Sequence, residues 1–295
     1  MKPLKNRWRL AGLIAAGLWL TVTPRSFGQT FTTIDYPGAK ATRPKGITRY
    51  GDIAGEYEDQ SGTVHGFLLS RGGKWASFDC EGAKHTRTLG MNNNLEIVGY
   101  YLDGAARSYP FYMGELGGRC FTYEPKGSTG ATFGGISDAG EIIGEFTDSE
   151  GRHRGFLVRG DVFLVFDGIV EGDYSGGPFG ISSQGDIVGH VQAYGDRMKG
   201  FLLTKTNSTI FEFPPGESNS MSCGFNINAR GEIVGHYQRT GETVLRGFLF
   251  SRGAYIPIDF PGAVSTEARG INDEGLIVGY YKDKDQVQHG FLLRR

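Results

Sequence analysis

Side chains capable of acid–base, ligand or ion chemistry recur in this chain at regular intervals, so each chemical type forms a series. One series, composed mainly of cations, stands directly before a Gly-Phe or Pro-Phe pair: His65, Tyr109, Arg154, Lys199, Arg246 and His289. A row of cations could bind an anion. Counting across the following hairpin, however, predicts acidic cross-strand partners: Asp79 for His65, Asp167 for Arg154 and Asp35 for His289. We interpret the series as structural ion pairs that each contribute about 0.2–1 kcal/mol.

A second series consists of acids that begin an Ile-Val-Gly-like segment. Its members are Asp52, Glu96, Glu141, Asp186 and Glu232, with Leu276 in the sixth place. Paired carboxylates can carry general acid–base catalysis. A catalytic pair is expected to break the symmetry of a repeat, whereas these acids follow it beside a tight turn. We therefore expect them to satisfy the turns or to form a solvated rim.

A third series follows the glycine of the same segments. It comprises Glu56, Tyr100, Glu145, His190, His236 and Tyr280. Three consecutive members could ligate a metal, but equivalent points on a six-fold ring lie as far apart as their distance from the axis. That distance is about 10 Å for a strand second from the axis, whereas each liganding nitrogen must lie about 2 Å from the ion. The sequence predicts no metal site and no cofactor.

The features that differ between repeats lie in loops that share one face of the predicted fold. Loops on a rigid scaffold commonly carry binding residues. The candidate ligand-binding residues are Arg43, His85, Arg87, Glu171, Asp173, Tyr174, Glu267 and Arg269. The three arginines come from repeats one, two and six, which are contiguous in a closed ring, and their basic sector faces Glu171 and Asp173. The alternative is that these are the ordinary polar loops of a repeat protein.

The elements that must position these residues are short strands in a repeat of about 44 residues. The repeat core starts at Gly46, Gly90, Gly135, Gly180, Asn226 and Gly270, at spacings of 44, 45, 45, 46 and 44 residues. The apolar segments are short and bounded by Gly, Asp, Asn or Ser, which is typical of strands, and none has helical periodicity. Each repeat therefore predicts a four-stranded antiparallel meander.

Six such meanders predict an all-β, six-bladed β-propeller over residues 29–295. One four-stranded sheet of this size cannot bury both of its faces, whereas six packed face to face around an axis can. The sixth repeat lacks a fourth strand, and a lone strand at 31–36 precedes the first repeat. We expect this strand to complete the last blade and close the ring, which removes the exposed edges of an open array.

Residues 1–28 combine a basic start, about 13 apolar residues and small residues before Gln29, which predicts a secretory signal peptide; an uncleaved anchor is the alternative. Cleavage would remove five of the 31 Lys and Arg, leaving 26 against 32 Asp and Glu, a formal charge of −6. Such a charge does not attract nucleic acid or anionic lipid. We expect a secreted monomer, extracellular or periplasmic, that does not insert into a membrane after cleavage. The 3 Cys allow one disulfide but no disulfide framework.

The repeated strings resemble the bacterial extracellular HAF-repeat proteins, named for a His-Ala-Phe element. That element stands here as His65-Gly66-Phe67 and His289-Gly290-Phe291, with Arg or Lys replacing His in three other repeats and a Tyr-Pro-Phe in the second. The resemblance covers about residues 31–295 and implies export and a repeat fold. It supplies no catalytic residue.

Three functions agree with these observations. The leading interpretation is an exported, non-enzymatic scaffold that binds a protein or a glycan through the loop-rich face. The first alternative is a hydrolase or lyase acting on a glycan or lactone at the channel mouth through Glu171, Asp173, His85 or Glu267. The second alternative is a structural component of the envelope or matrix. The sequence contains no nucleophile elbow, phosphate loop or paired Cys-x-x-Cys that would favour an enzyme class.

Overall fold

The structure, a computed structural model, describes residues 29–114, 118–166, 174–193, 197–213 and 221–295. The predicted signal peptide, residues 1–28, lies outside this range. The described residues form 25 strands in six antiparallel sheets whose innermost strands neighbour one another around an axis. Among them, no helix is long and apolar enough to cross a membrane. The predicted six-bladed β-propeller is confirmed.

The blades follow one another along the chain, and each runs from the axis to the rim. Blade 1 contains β2 (Ala41–Ile47), β3 (Ile53–Glu58), β4 (Val64–Leu69) and β5 (Trp75–Phe78). Blade 2 contains β6 (His85–Met91), β7 (Ile97–Leu102), β8 (Ser108–Met113) and β9 (Phe121–Thr122). Blade 3 contains β10 (Gly130–Ile136), β11 (Ile142–Thr147), β12 (His153–Arg159) and β13 (Val162–Phe166).

The innermost position of blade 4 is shared by two short strands. Blade 4 contains β14 (Tyr174–Ser175), β15 (Pro178–Ile181), β16 (Ile187–Ala193), β17 (Lys199–Leu203) and β18 (Ser208–Phe211). Blade 5 contains β19 (Met221–Ile227), β20 (Ile233–Gln238), β21 (Arg246–Ser251) and β22 (Ala254–Ile258). Blade 6 contains β23 (Ser265–Ile271), β24 (Ile277–Lys282), β25 (Gln288–Arg294) and β1 (Thr30–Ile34).

The ring closes through its first strand, as the sequence predicted. Strand β1 pairs antiparallel with β25, in a register that runs from Thr30 opposite Arg294 to Ile34 opposite Gly290. Strand β1 is therefore the outermost strand of blade 6. Because both ends of the repeat array meet in one sheet, blade 6 is held between blades 5 and 1 on both faces.

The core lies between blades. Six apolar clusters each combine residues from two adjacent blades. At their centres lie the six phenylalanines of the repeated Gly-Phe or Pro-Phe pair, all fully buried: Phe67, Phe111, Phe156, Phe201, Phe248 and Phe291. The repeated glycine of the second strand makes room for them. A Cβ on Gly55 would lie 2.8 Å from the Phe67 ring and 2.4 Å from the Arg43 carbonyl oxygen, so only glycine fits there.

The innermost strands of neighbouring blades approach one another so closely that a glycine is required at the point of contact. A Cβ on Gly270 of blade 6 would lie 2.7 Å from the carbonyl oxygen of Lys45 in blade 1. Just before this position, every innermost strand carries a β-bulge. The bulged residue has no partner in the ladder, and this change in register re-aims its side chain.

A disulfide joins the outer parts of blades 1 and 2. Cys80 follows β5 and Cys120 precedes β9, and their Cα atoms lie 5.5 Å apart. The third cysteine, Cys223, is free and buried in β19. The expectation of at most one disulfide therefore agrees with the structure.

Candidate functional site

The six bulges bring one residue from each blade to the axis of the ring. These residues are Lys45, Leu89, Gly134, Phe179, Phe225 and Arg269. Consecutive members touch across blade boundaries: the rings of Phe179 and Phe225 are 5.4 Å apart, and the Arg269 guanidinium lies 3.7 Å from the Phe225 ring centroid. The axis is thus aromatic at blades 4 and 5 and cationic at blades 6 and 1.

The cationic half is organised by the buried carboxylate of Glu56 on β3, which is 3% exposed. Its Oε1 lies 3.2 Å from Nη1 of Arg87, 3.6 Å from Nη1 of Arg43 and 3.9 Å from Nζ of Lys45. Glu58, two residues along β3 and more exposed, accepts a hydrogen bond from Nη2 of Arg43 at 3.1 Å. Three cations from two blades therefore share the charge of one buried glutamate.

A second buried carboxylate, Glu267 on β23, links blades 5 and 6. Its Oε2 lies 2.8 Å from Nδ1 of His236 and 2.6 Å from Nη2 of Arg269. Arg269 also donates to the Tyr280 hydroxyl at 2.7 Å. Burial alone would raise the pKa of Glu267, but the charge of Arg269 and the hydrogen bond from His236 hold it well below its usual range. Glu267 is therefore ionised at neutral pH.

We call these residues the axial cluster: Arg43, Lys45, Glu56, Arg87, His236, Glu267, Arg269 and Tyr280. The pKa of Lys45 is lowered to about 8, mainly by burial and also by the charge of Arg269, while Glu56 opposes the shift. Buried donors in the cluster remain without an acceptor at Nη1 of Arg43 and Nε of Arg269, because the 3.6 Å approach of Glu56 to Arg43 is too long for a hydrogen bond. Positive charge in the cluster is incompletely compensated.

Four half-buried side chains lie beside the cluster, on the loop-rich side of the bulges, and we call them the axial mouth: Arg87, Tyr100, Glu145 and His190. Arg87, Glu56 and Glu145 all lie close enough to Tyr100 to act on its pKa, which burial raises. Burial also raises the pKa of Glu145 and lowers that of His190 to about 4, so the imidazole is neutral at pH 7. The Phe179 ring stacks on His190, with centroids 5.2 Å apart.

The axial mouth has unused hydrogen-bonding capacity. Among the described residues, no hydrogen bond is made by the Glu145 carboxylate or the Tyr100 hydroxyl, and Nδ1 of His190 is buried without a partner. Arg87 uses only Nη1, so its remaining donors face outward. Buried polar groups are normally satisfied, and unsatisfied ones gathered at one opening are typical of a binding site.

The structure brings together four of the predicted ligand-binding residues and places a fifth, His85, apart from them. Arg43, Arg87, Glu267 and Arg269 all belong to the axial cluster, with Arg87 the most exposed at 33%. His85 lies apart, because its Nδ1 accepts a hydrogen bond from the backbone N–H of Val64. Glu171 and Asp173 lie outside the described residues, and of Tyr174 only the backbone, in β14, is described.

Sequence reasoning did not find the pairing that builds the cluster. In the third series, Glu56 and His236 each reach forward to the innermost strand of the next blade, to Arg87 and Glu267. Both contacts span 31 residues. This common spacing of complementary side chains is the sequence signal that could have revealed the contacts. Nothing comparable marked Lys45, which reaches the cluster because it is the bulged residue of β2.

The cation series forms the predicted cross-strand pairs. Nδ1 of His65 lies 2.8 Å from Asp79, and Nδ1 of His289 lies 2.9 Å from Asp35. Asp167, the predicted partner of Arg154, lies outside the described residues. These contacts are structural, as interpreted from the sequence.

Each of these histidines also has a second acidic partner that the sequence analysis missed. Nε2 of His65 lies 3.4 Å from Asp59, six residues earlier, and Nε2 of His289 lies 3.5 Å from Asp283. Burial would lower the pKa of both imidazoles, but the paired aspartates raise it above 6.5. Two other repeats show the same six-residue spacing. The Tyr109 hydroxyl donates to Oδ2 of Asp103, and Nε of Arg154 lies near Oδ2 of Asp148, each at 3.3 Å.

The acid series satisfies turns, as predicted. Oδ2 of Asp52 accepts a hydrogen bond from the Thr48 hydroxyl, and the Glu232 carboxylate accepts bonds from Asn228 and Ser251. The members thus stabilise the turns between first and second strands. In the part of the chain that the structure describes, no group of three His, Cys, Asp or Glu side chains could hold a metal ion.

The opposite face of the disc contains a small cavity of about 70 Å³ on the axis. Its lining comes from all six blades and includes Ile47, Met91, Ile136, Ile181, Ile227 and Ile271. The Asn amides at its lip bridge blades, as Asn272 does to the Thr48 carbonyl oxygen at 3.0 Å. Ligand pockets usually measure about 300–1,000 Å³, so this cavity suits a few waters rather than a sugar.

No protein-family model matches the chain, and no curated protein matches it. Solved β-propellers do. AofleA from Arthrobotrys oligospora is 11% identical, with a TM-score of 0.56 and coverage of 90% of this chain and 86% of that chain. The Aleuria aurantia lectin, a six-bladed propeller with a fucose recognition mode, is 11% identical, with a TM-score of 0.51 and coverage of 85% and 91%.

The propeller domain of the Trilobed protease from Pyrococcus furiosus, which has an open velcro topology, is also similar. It is 10% identical, with a TM-score of 0.52 and coverage of 86% of this chain and 81% of that domain. At these identities the likeness establishes the fold.

Proposed function

We propose that this chain is an exported, non-enzymatic scaffold that binds a glycan at the axial mouth of its loop-rich face. The observation that carries the proposal is the convergence of Arg87, Tyr100, Glu145 and His190, all half-buried and all with spare hydrogen-bonding groups. Sugar hydroxyls both donate and accept hydrogen bonds, so they match a mixture of a guanidinium, a phenol, a carboxyl and a neutral imidazole.

The rigidity of the support agrees with a binding role. The axial cluster holds Arg87 through Glu56, which is itself fixed by Arg43 and Lys45. Preorganised side chains lose little conformational entropy when a ligand binds. The Aleuria aurantia lectin provides a precedent for glycan binding on this fold.

The proposal includes export and membership of the HAF-repeat family. Export is supported by the signal-like residues 1–28 and by the Cys80–Cys120 disulfide, since disulfides persist in oxidising compartments. Family membership rests on the repeated His-Gly-Phe element. In this proposal the exported form is a monomer that does not insert into membranes.

A hydrolytic role finds less support at the described residues. Glu267 is ionised and engaged by His236 and Arg269, so it is unsuited to donate a proton. Nδ1 of His85 accepts a backbone hydrogen bond. The remaining candidates, Glu171 and Asp173, lie outside the described residues.

The experiment is a glycan array run with purified protein and with two variants, beside capture of partners from an envelope fraction. Arg87→Gln removes a charge at the axial mouth. Arg107→Gln removes an arginine of the rim, whose ion pair is with the exposed Glu124 and whose guanidinium lies over the Tyr109 ring. We expect glycan capture by the wild type and by Arg107→Gln, and weakened capture by Arg87→Gln. Capture of proteins but no glycan, or equal capture by all three, would contradict the proposal.

One observation favours a structural component as a second candidate. Exposed apolar side chains are concentrated on the outer strands of blades 2 to 4, and they include Phe121, Tyr123, Val162, Leu164, Val165 and Ile210. Strand β13 carries no charge along Val162–Phe166, which leaves an unprotected edge for a second copy of the chain. Sedimentation velocity tests this: self-association abolished by Leu164→Lys but not by Val264→Lys supports the candidate, and a monomer at all concentrations contradicts it.

A further inference from the structure

We infer that the ligand of the axial mouth is an acidic sugar, whose carboxylate binds Arg87 and whose hydroxyls face Glu145 and His190. This inference rests on the proposed glycan-binding function and deepens it. The first step concerns charge. Arg43, Lys45 and Arg87 share the buried carboxylate of Glu56, and only Arg43 has another carboxylate, Glu58, within ion-pair distance among the described residues. Buried charge normally has a full complement of partners, so the Arg87 side of the axial mouth can accommodate one more anion.

The second step concerns geometry. Arg87 donates to Glu56 through Nη1 alone and is 33% exposed, which leaves Nη2 and Nε at the surface of the cluster. A guanidinium offers paired donors that match the two oxygens of a carboxylate. Behind it, Nη1 of Arg43 lies buried without an acceptor. The free donors are therefore on the side of the axial mouth that Glu56 supports.

The third step concerns the opposite wall, which a simple anion would not satisfy. Glu145 and His190 on blades 3 and 4 make no side-chain hydrogen bond among the described residues, and an anion placed against an ionised Glu145 would be repelled. A neutral imidazole and a carboxyl suit hydroxyl groups instead. The half-buried Phe179, stacked on His190, offers an apolar ring edge beside them. Arg87 on one side and the pair Glu145 and His190 on the other thus select a molecule with a carboxylate at one end and hydroxyls at the other. A uronic acid has this chemistry.

The fourth step excludes non-specific attraction. The chain without residues 1–28 has 26 Lys and Arg against 32 Asp and Glu, so its overall charge repels polyanions. Affinity for an acidic sugar must therefore arise locally. Because Lys45 lies in the same cluster with its pKa lowered to about 8, a bound anion would favour its protonated form. Affinity for the acid is expected to fall as the pH rises through 8, whereas affinity for an uncharged sugar is not.

The test is calorimetric titration of the whole exported chain with trigalacturonate and with its fully methyl-esterified form, in which each carboxylate is replaced by an uncharged methyl ester. We expect at least about tenfold tighter binding of the acid, since hydrogen bonds to charged groups are the stronger ones. Arg87→Gln should remove most of that preference, because it should weaken binding of the acid far more than binding of the ester. Glu145→Gln should retain the preference, and Arg107→Gln should behave as the wild type.

Three outcomes would overturn the inference. Equal affinity for acid and ester, with glycans still captured on the array, would leave the proposed glycan-binding function standing and remove the acidic ligand. If inorganic phosphate, or a peptide with a free C-terminal carboxylate, bound as tightly as trigalacturonate, the site would be an anion site that does not recognise the sugar. Binding of no glycan at all would remove both proposals. A preference for the acid that Arg87→Gln abolishes and that declines above pH 8 supports the inference.

Discussion

His289 and Asp35 clasp the two ends of the ring: Nδ1 of the histidine lies 2.9 Å from Oδ2 of the aspartate, although 254 residues separate them. The same pair occurs inside blade 1, where His65 and Asp79 are 14 residues apart. One repeated element therefore serves two purposes. In blade 1 it ties adjacent strands of one hairpin, and at the seam it ties the first strand to the last.

Replacing His289 should weaken the fold in a pH-dependent way. The folded pKa of His289 is raised, because its bonds to Asp35 and Asp283 outweigh the opposite effect of burial. The contribution to stability is therefore complete below the unfolded pKa of about 6.5 and declines as the pH rises through the folded pKa. For His289→Asn we expect a loss of about 0.2–1 kcal/mol at pH 5.5 that shrinks by pH 8.5, measured by urea unfolding.

His65→Asn is the matched control for position. It removes an equivalent pair and should show a similar pH dependence, but it leaves the seam intact. Hydrogen exchange separates the two variants, because only His289→Asn should accelerate exchange of the amides of Thr30–Ile34. Equal exchange in both variants would show that the clasp does not hold the seam.

Gly270→Ala should destabilise the ring through a steric clash. A Cβ at this position would lie 2.7 Å from the Lys45 carbonyl oxygen and 3.2 Å from the Cα of Gly46, both in the backbone of the next blade. Overpacking typically costs about 1–3 kcal/mol, and backbone atoms cannot move aside as a side chain can. Gly104→Ala is the control, because no atom lies within 4 Å of its Cβ position. Thermal unfolding should separate the two variants, and similar midpoints would contradict the tight approach of inner strands.

The repeat made the fold predictable from the sequence. Strand order and the closing strand both followed from spacings and from one unmatched strand. The predicted strand at 31–36 is observed as Thr30–Ile34, because its pairing ends opposite Gly290. Such local patterns determine the architecture, since every blade must bury its apolar faces against the two neighbouring blades in the same way.

The site was less predictable, because it depends on departures from the repeat. The β-bulges turn Lys45 and Arg269 towards the axis, and no residue type in the sequence announces a bulge. Position in the repeat grouped Arg43, Arg87 and Arg269 on contiguous blades, but it assigned them to loops, whereas they lie on innermost strands. It could not show that Glu56 crosses a blade boundary to reach Arg87, because that contact depends on how closely neighbouring blades pack.

Glu56→Gln should destabilise the protein far more than Glu58→Gln, although both glutamates lie on β3 and both contact Arg43. Glu56 is 3% exposed and compensates three cations, whereas Glu58 is 29% exposed and pairs with one. Removing one partner of a buried pair costs about 3–5 kcal/mol, against about 0–1 kcal/mol for an exposed pair. Urea unfolding at pH 7 measures both values. Equal losses would mean that the axial cluster is solvated and not a support for Arg87.

Reduction of the Cys80–Cys120 disulfide should cost a large part of the stability of blades 1 and 2. The bond closes a loop with a sequence separation of 40 residues, for which restriction of the unfolded chain corresponds to about 4 kcal/mol. A Cys80→Ala, Cys120→Ala double variant should unfold at a lower temperature than the oxidised wild type and should not respond to reductant. The reduced wild type should unfold close to the variant. Thiol counting under denaturing conditions provides the independent check: oxidised protein should present one reactive thiol, that of Cys223, and three would contradict the bond.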